Sequence, residues 1–545
     1  MPWIEELKNL IKGDVATDEE TLKKHSRDAS IFEVMPKVVV FPKDTEDVES
    51  LVKFVSDNKE KYPELSLTGR SAGTGMDGGS LSESIIVDFT KYFNNIKEIG
   101  DDYAVVEPGV YYRDFEKETL KKGLLYPSYP ASKSICAIGG IVSNNSGGEK
   151  TLKFGQTNKN VKGLRMVLSD GNEYEFHKLN RAELQEKKDQ DNFEGRIYRK
   201  VYELIEDNYD IIQRAKPTVS KNSAGYYLWN VWDRENFDMT QLLVGSQGTL
   251  GLVTEAKLNL IKKAKYSKML VVFLKDIKNL SRIVNVALKY EPESLEAFDD
   301  NTLKLAMRFL PDIAKKLGGR GFLSLAFSFL GEFFMVLRHG IPKFIVLVEI
   351  TGDTEADIDN RLALLHKDLE KFNVTSKILK KEEDAEKYLV MRRESFNLLR
   401  NKVKDKQATP FIDDIIVDPA KLPEFLPKLY DILEKHDIAP TLAGHAGSGN
   451  FHIIPLMDLS KEEERKKIPI VAEEVYNLVL EYGGSITAEH NDGLIRSPYL
   501  EKMYGAEVYG LFKKVKEIFD PKNIFNPGKK VNADLDYAMD HIKRE

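Results

Sequence analysis

Apolar residues recur with two different periods along this chain. Val38-Val39-Val40-Phe41 is a short unbroken run, and after the acidic start Asp44-Thr45-Glu46-Asp47 the residues Val48, Leu51, Val52 and Val55 return at helical spacing. The run predicts a buried strand and the spaced residues an amphipathic helix. Leu65 to Thr68 predicts another strand, Gly69 to Gly79 a glycine-rich loop, and Ile85 to Asp88 a third strand, closing a β-α-β-loop-β unit. Further strands are expected at 104–107, 164–169 and 251–260. Past residue 263 the pattern changes. Met269 to Leu274 and Phe344 to Ile350 read as apolar strands separated by long helical stretches, as in a separate α+β domain. Val508, Leu511, Phe512, Val515, Ile518 and Phe519 make one stripe of a C-terminal helix, which Asp520-Pro521 ends.

A chain of 545 residues exceeds what one core accommodates, so two to three domains are expected. Its 42% hydrophobic and 31% charged residues fit a soluble globular protein. A net charge of -7 leaves no broad electrostatic footprint for nucleic acid, and that partner class is set aside. Cys136 is the one cysteine, which rules out an intramolecular disulfide and a four-thiolate iron–sulfur cluster built from this polypeptide. The opening Met-Pro-Trp-Ile-Glu-Glu-Leu-Lys lacks the basic and apolar regions of a secretory signal, so a cytoplasmic location is expected. One segment, 322–337, is strongly apolar, broken by Glu332 and flanked by Lys315, Lys316, Arg320, Arg338 and Lys343. It is short for a membrane span. Two readings stand: a buried core helix, or an interfacial helix making peripheral contact with the inner face of a membrane.

The candidate chemistry sits in glycine-rich clusters. Gly69 to Gly79 follows a strand, where close-packed backbone N–H groups can cradle a pyrophosphate. Gly73-x-Gly75-x-x-Gly78 matches a dinucleotide fingerprint nominally, but Gly79-Ser80-Leu81-Ser82 leads to a strand, not the helix that NAD binding needs. Pro130 to Gly148 is too long and too rich in small donors for a mere turn, and Gly245 to Gly251 precedes the strand at 251–260. Near the C-terminus His445 and His452 bracket Ala-Gly-Ser-Gly-Asn-Phe, and Glu489-His490 follows later. The two histidines are expected to flank a turn between a loop and a strand at 451–455, where two imidazoles and a carboxylate can converge on a divalent metal. His490 would then stand beside that metal as a base.

These clusters in order, with Gly483-Gly484-Ser485 before Glu489-His490 and with Asn526-Pro527-Gly528-Lys529, resemble one family from about residue 36 to 530. The chain is similar to the FAD-dependent D-2-hydroxyacid dehydrogenases, of the D-lactate dehydrogenase and glycolate oxidase type, in the vanillyl-alcohol oxidase/p-cresol methylhydroxylase superfamily of flavoproteins. The resemblance implies an α+β fold: a two-subdomain p-cresol-methylhydroxylase-type FAD-binding domain over 1–262 and an α+β cap domain with an antiparallel sheet over 263–505. A helical segment, 506–545, would return to the FAD domain.

By the same resemblance Arg70, Ser71, Ala72, Gly73, Thr74, Gly75, Gly78 and Gly79 bind the FAD pyrophosphate. Ser132, Gly139, Gly140, Asn144 and Ser146 run beneath ribityl and flavin, and Gly248, Val253 and Asn526 complete the cofactor set. Some relatives attach FAD covalently through a histidine in the first loop; Thr74 stands there, so non-covalent FAD is expected, with Cys136 an inert buried thiol. His445, His452 and Glu489 match the family's metal ligands, for zinc or for manganese or iron, and His490 its catalytic base. Arg393 lies where relatives grip the substrate carboxylate, and Arg392 is the alternative. Two departures are visible: Asn491-Asp492-Gly493 in place of the more frequent Gly-x-Gly, and Gln247 in place of Glu. An apolar stretch around Ile412, where some relatives carry a lysine for a second carboxylate, points to a monocarboxylate.

The implied reaction is oxidation of a D-2-hydroxy acid, D-lactate-like or glycolate-like, to the 2-oxo acid. The hydride would go to flavin and the electrons on to a separate acceptor: a quinone, an electron-transfer flavoprotein or an iron–sulfur protein. The alternatives are a flavoprotein subunit acting as an electron conduit in a larger redox complex, and a non-redox FAD-dependent synthase of the alkylglycerone-phosphate type.

Overall fold

The computed structural model describes residues 2–308, 340–379, 384–392, 406–438 and 440–544. The apolar segment 322–337 and Arg393 lie outside the described residues. Among those described, no helix is long and apolar enough to cross a membrane.

The N-terminal unit forms where the apolar runs predict it. Val38–Phe41 and Leu67–Arg70 both pair in parallel with Ile85–Asp88. The helix Thr45–Asn58 makes the crossover from Val38–Phe41 to Leu67–Arg70, which lies on the far side of Ile85–Asp88. Asp44 caps it by accepting from the Asp47 N–H, and Val48, Leu51, Val52 and Val55 are buried against the sheet. The strand expected at 65–68 is displaced to Leu67–Arg70. Tertiary pairing sets its limits: the Leu67 N–H donates to the Ile524 carbonyl at 2.7 Å, and the Asn526 N–H donates back to the Leu67 carbonyl at 2.8 Å. Residues 524–526 thus pair with the first residue of this strand.

A six-stranded antiparallel sheet follows, with the strand Leu252–Asn259 between Val161–Val167 and Tyr103–Val106. The glycine-rich stretch contains a short helix, Ile138–Asn144, whose first N–H groups donate to the Val110 and Pro108 carbonyls. Gly139 and Gly140 in its first turn oppose helix formation by about 1 kcal/mol each. Burial of Ile138, Ile141 and Val142 offsets that cost.

The cap is an eight-stranded sheet in which Ser294–Asp299 lies between Phe344–Gly352 and Pro440–His445, all antiparallel. Pro440–His445 and Asn450–Met457 form a hairpin. Gly449 closes its turn in the left-handed region at φ 75°, and a Cβ there would run into the Val417 carbonyl oxygen.

Candidate active site

That hairpin explains how two histidines meet. His445 pairs with Asn450 and Ala443 with His452. Because strand side chains alternate with period two, residues 443, 445, 450 and 452 all face one side, and the imidazoles of His445 and His452 are diagonal neighbours. Their ring centroids are 5.4 Å apart. His445 thus ends a strand, where a loop was expected.

Glu489 and His490 arrive on the segment 487–490, which wraps a single carboxylate oxygen. Asp414 Oδ2 accepts from the Thr487 hydroxyl and from the backbone N–H groups of Ala488, Glu489 and His490, at 2.7–2.9 Å. The result is two overlapping clusters with donor atoms within 4.8 Å of one another: His445, His452 and Glu489, and Asp413, His452 and His490.

Each ligand candidate is held from behind. His445 Nδ1 lies 2.7 Å from Glu296 Oε1, which turns Nε2 toward Glu489 Oε2 at 3.5 Å. The other Glu489 oxygen is taken by Lys221. His452 Nδ1 is 3.2 Å from one oxygen of Asp413, and His490 Nδ1 is 2.8 Å from the other. The rings of His452 and His490 stack at 5.0 Å. This is the arrangement by which a carboxylate orients an imidazole so that Nε2 faces the chemistry. Two imidazoles and one carboxylate, with their partners in place, fit a divalent zinc, manganese or iron.

Charges follow the same geometry. Burial would raise the Glu296 carboxyl, but Arg392 and His445 hold it down at about 2. Burial likewise opposes ionisation of Asp413, and His490 and His452 keep it well below the usual carboxylate range. Lys221 and His445 do the same for Glu489. Burial pulls His490 down, yet Asp414 and Asp413 outweigh it and raise the imidazole to about 9.

The cluster forms one wall of a cavity of about 730 Å³ whose other walls are the glycine loops. Arg70, Ser71, Ala72, Gly73, Thr74, Gly75, Gly79, Ser132, Gly139, Gly140, Asn144, Ser146, Gly248 and Val253 line it, with His445, His452, Glu489 and His490. Two expected cofactor residues do not. Gly78 turns its back on the cavity, against Phe32 and Leu494. Asn526 is buried behind it, donating from Nδ2 to the carbonyls of Gly79 and Gln247 at 2.8 and 2.7 Å, so it braces two cavity loops. Arg70 shapes its loop from inside: its guanidinium donates to the Arg27 carbonyl at 2.7 Å and fills the space a Cβ on Gly73 would need. Cys136 lines the cavity with its thiol pushed up to about 12 by burial, which makes it a poor nucleophile.

Residues that sequence reasoning missed are mostly the supporting ones: Glu296, Asp413, Asp414 and Lys221. Arg392 is 4% exposed, lines the cavity, and sits 2.5 Å from Glu296 Oε2 with its Nε lacking a partner. Asp77 also lines the cavity, and burial, with Asp28 adding to it, raises its carboxyl to about 6. Gln247 donates an amide hydrogen to Asp77 and accepts from the Gly493 N–H at 2.9 Å. A carboxylate cannot do both. Gln247→Glu is expected to lose about 1–3 kcal/mol at pH 8, where both carboxylates are charged. The loss should shrink below pH 6, where Asp77 takes up a proton and can donate. Thermal denaturation at the two pH values checks this, and an unchanged Tm at pH 8 would count against it.

Two family models match the chain: an FAD binding domain over residues 36–177, and the C-terminal domain of FAD linked oxidases over residues 263–530. A D-2-hydroxyglutarate dehydrogenase of Pseudomonas putida is 26% identical over 97% of the chain, and the chain spans 51% of its length. The chain thus covers about half of that relative. Glycolate oxidase subunit GlcD of Bacillus subtilis is 29% identical over 91% of this chain and 89% of its own. A D-lactate dehydrogenase of Archaeoglobus fulgidus is 26% identical over 97% and 99%. Among solved structures, p-cresol methylhydroxylase with substrate bound superposes with a TM-score of 0.67 at 15% identity, covering 98% of this chain and 97% of that one.

Proposed function

This chain belongs to the FAD-linked oxidases, in the family of FAD-dependent D-2-hydroxyacid dehydrogenases, and on that premise we propose that it oxidises a small D-2-hydroxy monocarboxylate, D-lactate-like or glycolate-like, to the 2-oxo acid with help from a divalent metal. The observation that carries this reading is the meeting of His445, His452 and Glu489 with His490 on the wall of the cavity that the cofactor loops enclose.

FAD, when bound there, supplies the acceptor for the α-hydrogen and its electron pair. A metal held by His445, His452 and Glu489 would lower the pKa of a hydroxyl beside it, as it does that of water. The residues of the chain do the rest. His490 takes the hydroxyl proton on Nε2, because Nδ1 lies against the Asp413 carboxylate. Arg392, on the cavity wall with an unpartnered Nε, offers a charge-assisted donor to the substrate carboxylate. Arg393 remains a candidate for the same task. With a single cysteine in the chain, electrons leave to a separate acceptor.

The choice of a monocarboxylate rests on the wall beside His452. Ile454 follows it by two residues on the same strand and so faces the same side, and Ala408 pairs with Leu456 on that side. Both line the cavity with Val390 and Pro410. Among the described residues a side chain directed there meets apolar atoms, and against them a second carboxylate would go unpaired at a cost of several kcal/mol. Anaerobic bleaching of the flavin should therefore be fastest with D-lactate, glycolate or D-2-hydroxybutyrate. Faster bleaching by D-2-hydroxyglutarate would overturn the monocarboxylate assignment, and no bleaching by any D-acid would overturn the reaction.

A further inference from the structure

The segment that carries His490 is fastened on two sides, and the second fastening crosses from the cap to the cofactor-binding domain. On one side Asp414, in the cap, gathers the N–H groups of 488–490. On the other, Asn491 is fully buried and left-handed at φ 72°. Its Nδ2 donates to the Asn144 carbonyl at 3.1 Å and to the Gly245 carbonyl at 2.9 Å. Its Oδ1 accepts from the Asp492 N–H at 2.7 Å, so every polar atom of the amide is used.

The Asn144 carbonyl is the last of the helix Ile138–Asn144 and has no partner within that helix to come. Asn491 caps it from a residue 347 positions away. That same helix carries Gly139, Gly140 and Asn144 onto the cavity wall. The Asn144 side chain in turn donates to the His490 carbonyl at 3.4 Å. Gly245 precedes Gln247 and Gly248, which line the cavity too. The two acceptors of Asn491 therefore belong to a helix and a loop that both line the cavity.

We propose that Asn491 is a positioning residue that couples occupancy of the cofactor cavity to the placement of His490, acting through the carbonyls of Asn144 and Gly245. A glycine at this position would accept the left-handed turn equally well but would supply neither donor. Asn keeps the turn and adds a strut between the two domains. The inference rests on His490 as the proton acceptor of the proposed reaction, and it deepens that assignment.

The test compares wild type with Asn491→Gly and Asn491→Asp, purified as apoprotein and reloaded with FAD. Gly removes the side chain; Asp keeps its shape and tolerates the left-handed turn, but its carboxylate gives no donors to the two carbonyls. In wild type, FAD should slow amide hydrogen exchange of the peptide 487–493 by about tenfold or more, the signature of a locally tightened segment. In both variants that protection should largely vanish. FAD affinity should stay within about threefold, and the flavin reduction rate at saturating D-acid should fall about tenfold or more with little change in substrate affinity, as expected for lost transition-state alignment. Protection by FAD that survives in either variant, or wild-type reduction rates, would overturn the coupling. Variants that no longer bind FAD would overturn it as well, by making Asn491 a purely structural residue. Wild-type flavin that no D-acid reduces would instead undo the reaction assignment, while the exchange comparison would still judge the coupling by itself.

Discussion

Replacing His490 by Asn is expected to slow anaerobic reduction of the flavin by a D-2-hydroxy acid by about 10²–10⁴-fold, the usual contribution of a placed general base. The cofactor should stay bound, because the backbone at 488–490 is held by Asp414 and not by the imidazole. Stopped-flow absorbance measures the rate, and the flavin-to-protein ratio measures retention. The pH dependence adds a second check. Asp414 and Asp413 overcome burial and raise His490 to about 9 in the metal-free site. A protonated imidazole cannot accept the hydroxyl proton, so the wild-type rate should climb with pH until the base is neutral. The variant's residual rate should lack that limb. Wild-type reduction in the Asn variant would remove His490 from the mechanism.

The parts of this site that were legible in the sequence are the local ones. Glycine loops after Val- and Ile-rich runs stand out because both the apolar run and the turn chemistry lie within a few residues of each other, and the cavity is lined by them. His445 and His452 stand out for the same reason. Their geometry was only half visible: the glycine and alanine in Leu442-Ala443-Gly444-His445 hid a strand whose existence depends on pairing with 450–455. The helix Ile138–Asn144 was hidden likewise by two glycines that burial overrides. Arg70 moved from the expected loop to the end of a strand because Gly69 and Arg70 pair with Val87 and Asp88. What could not be found at all was the support behind the ligands. Glu296 reaches His445 across 149 residues and Lys221 reaches Glu489 across 268. Only one signal pointed to any of it: an acidic doublet, Asp413-Asp414, set between the apolar Phe411-Ile412 and Ile415-Ile416-Val417, which is an odd place for charge unless something buried needs it.

Removal of the proposed metal is expected to have the second large effect, and the charges around the histidines say why. Among the described residues, four buried carboxylates, Glu296, Asp413, Asp414 and Glu489, face three buried cations, Lys221, Arg392 and Arg496. Without a metal the balance falls to protons on the histidines, and both His445 and His490 are raised accordingly, by Glu296 in the first case and by Asp414 and Asp413 in the second, each against burial. A dication among His445, His452 and Glu489 would take over that balancing and push the neighbouring His490 back toward neutrality as a base. Metal-depleted protein is therefore expected to keep its FAD, to reduce it about 10²-fold or more slowly, and to show its remaining acid limb at higher pH than the reloaded protein. His445→Ala should lose metal and activity together. Glu296→Gln keeps every ligand but loses the anion behind His445, and should weaken metal binding by about 10–100-fold. Elemental analysis alongside a chelator titration of the flavin reduction rate reads all three. Full activity in protein stripped of divalent metal would defeat the metal assignment, and an unchanged metal affinity in Glu296→Gln would show that the anion behind His445 does not strengthen its hold on the metal.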